Sequence, residues 1–220
     1  MNSHFECSAE ALEYLRAQDD RMARVIDAVG VISRETDPDL FSSVVHQIIA
    51  QQISTKAQLT IWNRLQEKTG EVTCQSILSL SAQELKALGI SMRKVQYIQD
   101  FARQVQTGCF DPEQILSMSD EEAAAFLCTI KGCGVWTAQM VLLFGLCRPD
   151  VFSFQDAGIL KGLRMVYGHE KIDLALFEEY RRMFSPYGST ASLYLWAAAA
   201  GSAGDLKDPS SQKDGKKKQN

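Results

Sequence analysis

Gly132-Cys133-Gly134 is the first place in this chain where residue types and spacing point to chemistry. The triplet lies between two apolar helical patterns. Its glycines permit backbone dihedrals closed to other residues and let another backbone come close. The second pattern starts near Val135. The unbonded N–H groups of a first helical turn then lie beside Gly132 and Gly134, where they can donate to an anion such as a phosphate. A Gly-x-Gly turn that joins two helices without a ligand is the competing reading. Asp156 is the second place: an acidic residue beyond the Arg148-Pro149 break, at the start of the next helical pattern. A carboxylate there can act as a base, hold a water or stabilise positive charge. It is equally the residue type that caps helices.

The elements that position these residues read as helices throughout, so the expected fold class is all-α. Leu12, Leu15, Met22, Val25, Ile26 and Val29 predict a helix over 8–29 that Gly30 ends. Asp39 should cap a helix over 40–52, and a second should run over about 55–68. Short helices are expected within 73–107. Asp111-Pro112 should start another, and Ser119 with Glu122 forms a capping box that opens the first hairpin helix. Asp156 should begin a helix through Val166. Asp173 should cap 174–184, and Ser189 should cap about 190–200, with Gly201 as the stop. No segment alternates with period two. His46 has no second ligand nearby in sequence and reads as a surface or packed histidine.

Composition bounds the class. With 220 residues, 45% apolar and 23% charged, the chain has the make-up of a soluble globular protein of one domain or two small lobes. No apolar run approaches membrane-spanning length, and MNSHFECSAE does not read as a signal peptide. Cys7, Cys74, Cys109, Cys128, Cys133 and Cys147 contain no CxxC pair, so free thiols in a reducing cytoplasm are expected. The net charge is −4, and residues 205–220 carry five Lys and three Asp, a local +2, which leaves about −6 on the body (−4 minus +2). Binding to nucleic acid would therefore rest on a local face rather than on global charge.

Ile130-Lys131-Gly132-Cys133-Gly134-Val135-Trp136-Thr137-Ala138 resembles the helix-hairpin-helix signature of the DNA glycosylase superfamily. In that superfamily an aspartate follows the hairpin at the start of the next helix but one, and Asp156 stands there, twenty positions after Trp136. Asp150-Val151-Phe152, leading into Gln155-Asp156-Ala157-Gly158-Ile159-Leu160-Lys161, resembles the alkylbase (3-methyladenine DNA glycosylase II) branch. Ala50-Gln51-Gln52-Ile53-Ser54 resembles a junction of the family, and so does Leu88-Gly89-Ile90-Ser91-Met92-Arg93-Lys94. The resemblance covers about Phe41 to Gly201.

The resemblance implies two helical lobes with an active-site cleft between them. Residues 1–39 would pack with a C-terminal lobe of 149–204 that carries the catalytic Asp. A lobe of 40–148 would hold the hairpin at about 120–147, and 205–220 would form a disordered basic tail. It implies catalysis by Asp156 and a base pocket of Trp136, Trp196, Phe154 and Met140, with Trp62 a weaker candidate. DNA would be gripped by Gln52, Arg93, Lys94, Gly132, Gly134 and Thr137, with Gln52 filling the gap left by an extruded base. Bifunctional relatives carry a lysine where this chain has Trp136, and Lys131 is not the matching residue. The implied activity is thus a monofunctional glycosylase for alkylated purines, whose positive charge favours aromatic faces. Met140 and Ala157 depart from the pattern, since aromatics line the pocket there in the relative compared, which opens the substrate range. A glycosylase for a deaminated or oxidised base, or a non-catalytic DNA-binding module, are the alternatives. The expected partner is double-stranded DNA with a damaged base, bound by a monomer that touches no membrane. No cofactor or iron–sulfur cluster is expected. The resemblance also implies a Na+ or K+ held, only with DNA, by the carbonyls of Cys128, Ile130 and Cys133. The expected location is the cytoplasm, at the nucleoid or in a nucleus according to the source.

Overall fold

The computed structural model describes residues 3–212, and the chain divides into two compact units. One is built on Thr36–Cys147; the other joins His4–Glu35 to the chain from Arg148 onward.

In the Thr36–Cys147 unit, α3 (Leu40–Ala50) is buried on nearly every side, because Leu40, Phe41, Val44, Val45, Ile48 and Ile49 leave little polar surface. It packs against α4 (Thr55–Thr69), α7 (Met92–Gln106) and α9 (Val135–Phe144). Short helices α5 (Cys74–Leu78) and α6 (Ala82–Ala87) lean on α7, and α8 (Asp120–Leu127) pairs with α9. Phe41 stacks on Phe101 at 5.1 Å, and Phe110 bridges from Phe101 to Phe126. A fully buried ring of this kind contributes ~1.5–3 kcal/mol relative to exposure. Asp39, Ser54, Ser81, Ser91 and Ser119 each accept a first-turn backbone N–H through the side chain, so these helix starts are fixed by sequence. His46 stacks on Trp62 at 4.1 Å and meets Gln58 Nε2 at 3.0 Å through its own Nε2. It is packed rather than on the surface.

In the second unit, α12 (Gly188–Ala199) runs through the core with α10 (Ala157–Tyr167) against it. Gly158 and Gly162, one turn apart on α10, set the separation. A Cβ at Gly162 would overlap the Leu195 carbonyl, and one at Gly158 would lie 2.7 Å from Trp196 Cδ1. Helices α1 (Ala9–Gln18), α2 (Asp20–Val29) and α11 (Leu174–Phe184) complete the layer, and Phe152 stacks on Phe177 beneath it.

Several expectations need correction. The helix expected over 8–29 breaks in two, because Asp19 is extended and caps α2 through the N–H groups of Arg21 and Met22. The start at Pro112 is a 3-10 turn, Pro112–Ser117. Ser189 lies inside α12; its hydroxyl donates to the Arg148 carbonyl and accepts from Val151 N–H. Two four-residue strands, β1 (Ser3–Glu6) and β2 (Ser33–Thr36), pair as a small ribbon in an otherwise helical chain. The chain beyond Gly204 is tied down as far as a 3-10 turn at Pro209–Gln212, because Arg164 grips Asp208 through Nε at 3.0 Å and Nη2 at 2.6 Å. That guanidinium, with Ser210, holds the Asp208 carboxyl well below the usual carboxylate range. Residues 213–220, the rest of the expected tail, lie outside the described residues. Among the described residues, no helix is long and apolar enough to cross a membrane.

Burial lowers the His46 imidazole from 6.5 to about 4. Between those values the unfolded chain binds a proton that the folded chain excludes. Stability is therefore full above the upper value and declines as pH falls toward the lower one, by about 3 kcal/mol at most. His46→Phe keeps a ring against Trp62 and is expected to flatten that part of a urea-midpoint profile; an unchanged slope contradicts the assignment.

Candidate functional site

The turn between α3 and α4 is held by side chains from elsewhere in its unit. Lys94, in the first turn of α7, donates from Nζ to the carbonyls of Ile49 at 2.8 Å and Gln51 at 2.6 Å. Gln51 Nε2 donates to the Gly132 carbonyl at 2.8 Å and to Thr137 Oγ1 at 2.9 Å. Gln52 follows, exposed and in the left-handed region at φ 56°. For a residue with a Cβ that backbone costs ~1–2 kcal/mol, so the surroundings must enforce it. Exposed Ile53 lies beside it.

Gly132 sits at φ +89°, and a Cβ there would fall inside the Tyr97 ring. Gly134 is the N-cap of α9 and supplies no side-chain acceptor, so the first-turn N–H groups of α9 lack the cap found at its neighbours. A Cβ on Gly134 would meet nothing within 4 Å, so its open side can receive another molecule. This is the donor arrangement that holds a phosphate. The Ile130 carbonyl accepts from Cys133 N–H at 2.9 Å and keeps one lone pair for a further partner. Burial, with Cys128 nearby, pushes the Cys133 thiol up to about 12. Its sulfur is therefore neutral, and a cation here would depend on carbonyl oxygens.

In the other unit, Asp156 is the N-cap of α10 and is 7% exposed. Its Oδ1 accepts from Ile159 N–H at 2.9 Å and from Trp196 Nε1 at 2.8 Å. Gly158 makes the second bond possible, because any side chain there would meet both the indole and Oδ1. The loop that leads to Asp156 is stitched to the start of α12. Asp150 accepts from Gly188 N–H at 3.0 Å and Ser185 Oγ at 2.6 Å, and Ser192 Oγ donates to the Val151 carbonyl.

The remaining sequence candidates fall in different settings. Arg93 is exposed at the start of α7, open to a phosphate. Lys94, expected beside it as a phosphate contact, turns inward onto carbonyls instead. Thr137, expected to touch DNA, is 3% exposed and spends its hydroxyl oxygen on Gln51. Met140 is buried in the Thr36–Cys147 unit, and Trp136 is half-buried there. Trp62 is stacked in that core. Phe154 is 37% exposed with its ring edge on Phe177, and Trp196 is half-buried against Asp156. Sequence reasoning missed Gln51, Gly158 and Asp150. The signals for the first two were present, in a paired Gln51-Gln52 and in glycines four apart on α10.

The chain is similar to several known proteins. Residues 45–185 match the HhH-GPD superfamily base excision DNA repair protein family. A Bacillus subtilis protein provisionally named DNA-3-methyladenine glycosylase is 33% identical over 176 residues, 73% of this chain and 59% of the relative, so this chain spans under two thirds of that protein's length. A DNA-3-methyladenine glycosidase structure from Bacillus halodurans superposes with a TM-score of 0.76 at 30% identity, over 96% of this chain and 99% of that one. A 3-methyladenine DNA glycosylase of Schizosaccharomyces pombe, in complex with abasic DNA, gives 0.79 at 26% identity, over 86% and 96% of the two chains.

The two hairpin glycines should separate in a stability assay. Gly132→Ala adds backbone strain and a clash with Tyr97 and is expected to cost about 2–5 kcal/mol in urea unfolding. Gly134→Ala, in open space at φ −89°, should cost about 1 kcal/mol or less. Equal losses at the two positions contradict the described hairpin.

Proposed function

The chain belongs to the HhH-GPD superfamily of base excision DNA repair proteins, and on that premise we propose that it is a monofunctional DNA glycosylase that hydrolytically excises alkylated purines, 3-methyladenine and 7-methylguanine above all. The observation that carries the reading is Asp156, a carboxylate at a helix N-terminus whose Oδ1 is fixed by the Trp196 indole and the Ile159 amide.

Excision breaks the bond from C1′ to the base nitrogen, and the bonding pair leaves with the base. An alkylated purine starts positively charged and departs neutral, so the enzyme need not protonate it. The sugar is left with oxocarbenium character, which a fixed carboxylate stabilises. Water adds to C1′, and its proton passes to Asp156 or to solvent. Two donors on Oδ1 hold the carboxylate in one orientation, so no reorganisation is needed as charge develops.

Trp136 stands where a lyase mechanism would need an amine, and indole cannot form a Schiff base. Water is then the nucleophile, and the strand stays intact. In the unit that carries Asp156, the half-buried Trp196 and the exposed ring of Phe154 offer faces for a cationic base. Met140, buried in the core of the Thr36–Cys147 unit, is not offered to a base.

The partner is double-stranded DNA with a damaged base. First-turn N–H groups beside Gly132 and Gly134, together with Arg93, would hold phosphates. Gln52, presented in its left-handed turn, would fill the vacated stack and offset the few kcal/mol that extrusion costs. The carbonyl oxygens of Cys128, Ile130 and Cys133 would hold a Na+ or K+, which would supply positive charge for a phosphate. With a net charge of −4 on the chain, affinity for undamaged DNA should be modest and fall steeply with salt.

Single-lesion duplexes carrying 7-methylguanine, 3-methyladenine, hypoxanthine, uracil or 8-oxoguanine, each assayed with and without alkali, test the reading. Alkylpurine duplexes should be nicked only after alkali. Nicking without alkali contradicts the monofunctional assignment. Excision confined to the deaminated or oxidised bases replaces the substrate class, and no excision of any lesion leaves a non-catalytic DNA-binding module.

A further inference from the structure

The grip on DNA has two parts in the Thr36–Cys147 unit, the Gln52 turn and the glycine hairpin, and one chain of hydrogen bonds joins them. Lys94 Nζ holds the Gln51 carbonyl at 2.6 Å, while Gln51 Nε2 holds the Gly132 carbonyl at 2.8 Å. The Gln51 carbonyl belongs to the peptide whose N–H is that of Gln52. Gln52's positive φ is a rotation about the bond next to that peptide plane, so fixing the plane fixes the direction in which Gln52 is presented. The second Nζ bond, to Ile49 at 2.8 Å, ties the same ammonium to the end of α3. Thr137, in the first turn of α9, closes the other end of the chain at 2.9 Å.

We infer that Lys94 and Gln51 are positioning residues that lock the Gln52 turn and the Gly132 hairpin into one rigid grip, so that a strand held at the hairpin meets Gln52 already aimed. The inference rests on the DNA-glycosylase reading above. It gives Lys94 a different part from its exposed neighbour Arg93. Arg93 contributes charge to a phosphate, whereas Lys94 contributes geometry and touches no DNA. The ammonium sits against carbonyl dipoles, and desolvation, with Arg93 beside it, lowers its pKa. That is the state of a side chain spent inside the protein.

The test is a double-mutant cycle read in two ways, with Lys94→Met and Gln51→Met, each alone and combined with Gln52→Ala. Binding is measured to a duplex with an abasic-site analogue and to the same duplex undamaged, across a salt series. Each methionine variant should weaken abasic-duplex binding by about 10-fold and narrow its preference over undamaged duplex. In the Gln52→Ala background the same change should cost under about 2-fold, because the residue that was being aimed is gone. The salt slope of Lys94→Met should equal that of the wild type. A slope reduced by about one unit makes Lys94 a phosphate contact and overturns the inference. So does full additivity with Gln52→Ala. If Lys94→Met does not fold, Gln51→Met removes the same linkage without changing charge and decides the matter by its cycle alone. Excision by the wild type, run in parallel, reads the function separately. A wild type that excises while the cycle is additive keeps the function and loses the linkage; one that excises nothing loses the function, while the cycle still reads the linkage.

Discussion

The hydrogen bond from the Trp196 indole to Asp156 Oδ1, at 2.8 Å, exists only because two helices lie closer than side chains normally allow. Gly158 leaves room for the indole edge, and Gly162 lets α10 settle on the Leu195 carbonyl. With any Cβ at those positions α12 would have to move out, and the indole N–H would leave the carboxylate. The rest of the second unit reinforces the same placement. Asp150 and Ser192 fasten the preceding loop to α12, and Arg164 with Asp208 clamps the chain that follows it. On the proposed reading a single carboxylate must act without reorganising and needs this kind of support, because a misplacement of about 1 Å can cost ~100-fold in rate.

The Thr36–Cys147 unit solves a different problem with the same economy. On the proposed reading it must hold a highly charged strand although the chain as a whole is acidic. The answer proposed for it is main-chain N–H groups at a helix start without a side-chain cap, not a field of lysines. Lys94 turns inward, onto the Ile49 and Gln51 carbonyls. Specific recognition would then rest on shape: a strained turn at Gln52 and a hairpin that only glycine permits at position 132.

Much of this was legible in the chain. The hairpin glycines, the acidic N-cap at 156 and the capping residues Asp39, Ser119 and Asp173 are local signals, and local signals survive without knowledge of the fold. The inward turn of Lys94 was half legible. Lys94, Ile98, Phe101 and Ala102 share one helical face, yet a lysine stem can lie along such a face and still send its charge to solvent. The partners of Gln51 and Asp150 lie 81 and 38 positions away, and no spacing rule reaches that far. The strands at 3–6 and 33–36 are too short to show a period. The break at Asp19 was hidden because apolar spacing continues across it.

On the proposed reading one carboxylate carries the chemistry while the grip on DNA lies elsewhere, and single-turnover excision of 7-methylguanine by Asp156→Asn separates the two. The amide keeps the size of the side chain and can still accept from Trp196, so the fold should hold. Excision is expected to fall by about 10²–10⁴-fold, with affinity for an abasic-analogue duplex within about 3-fold of the wild type. An Asn variant that keeps more than about a tenth of the wild-type rate, or that loses binding and rate together, contradicts the assignment of Asp156.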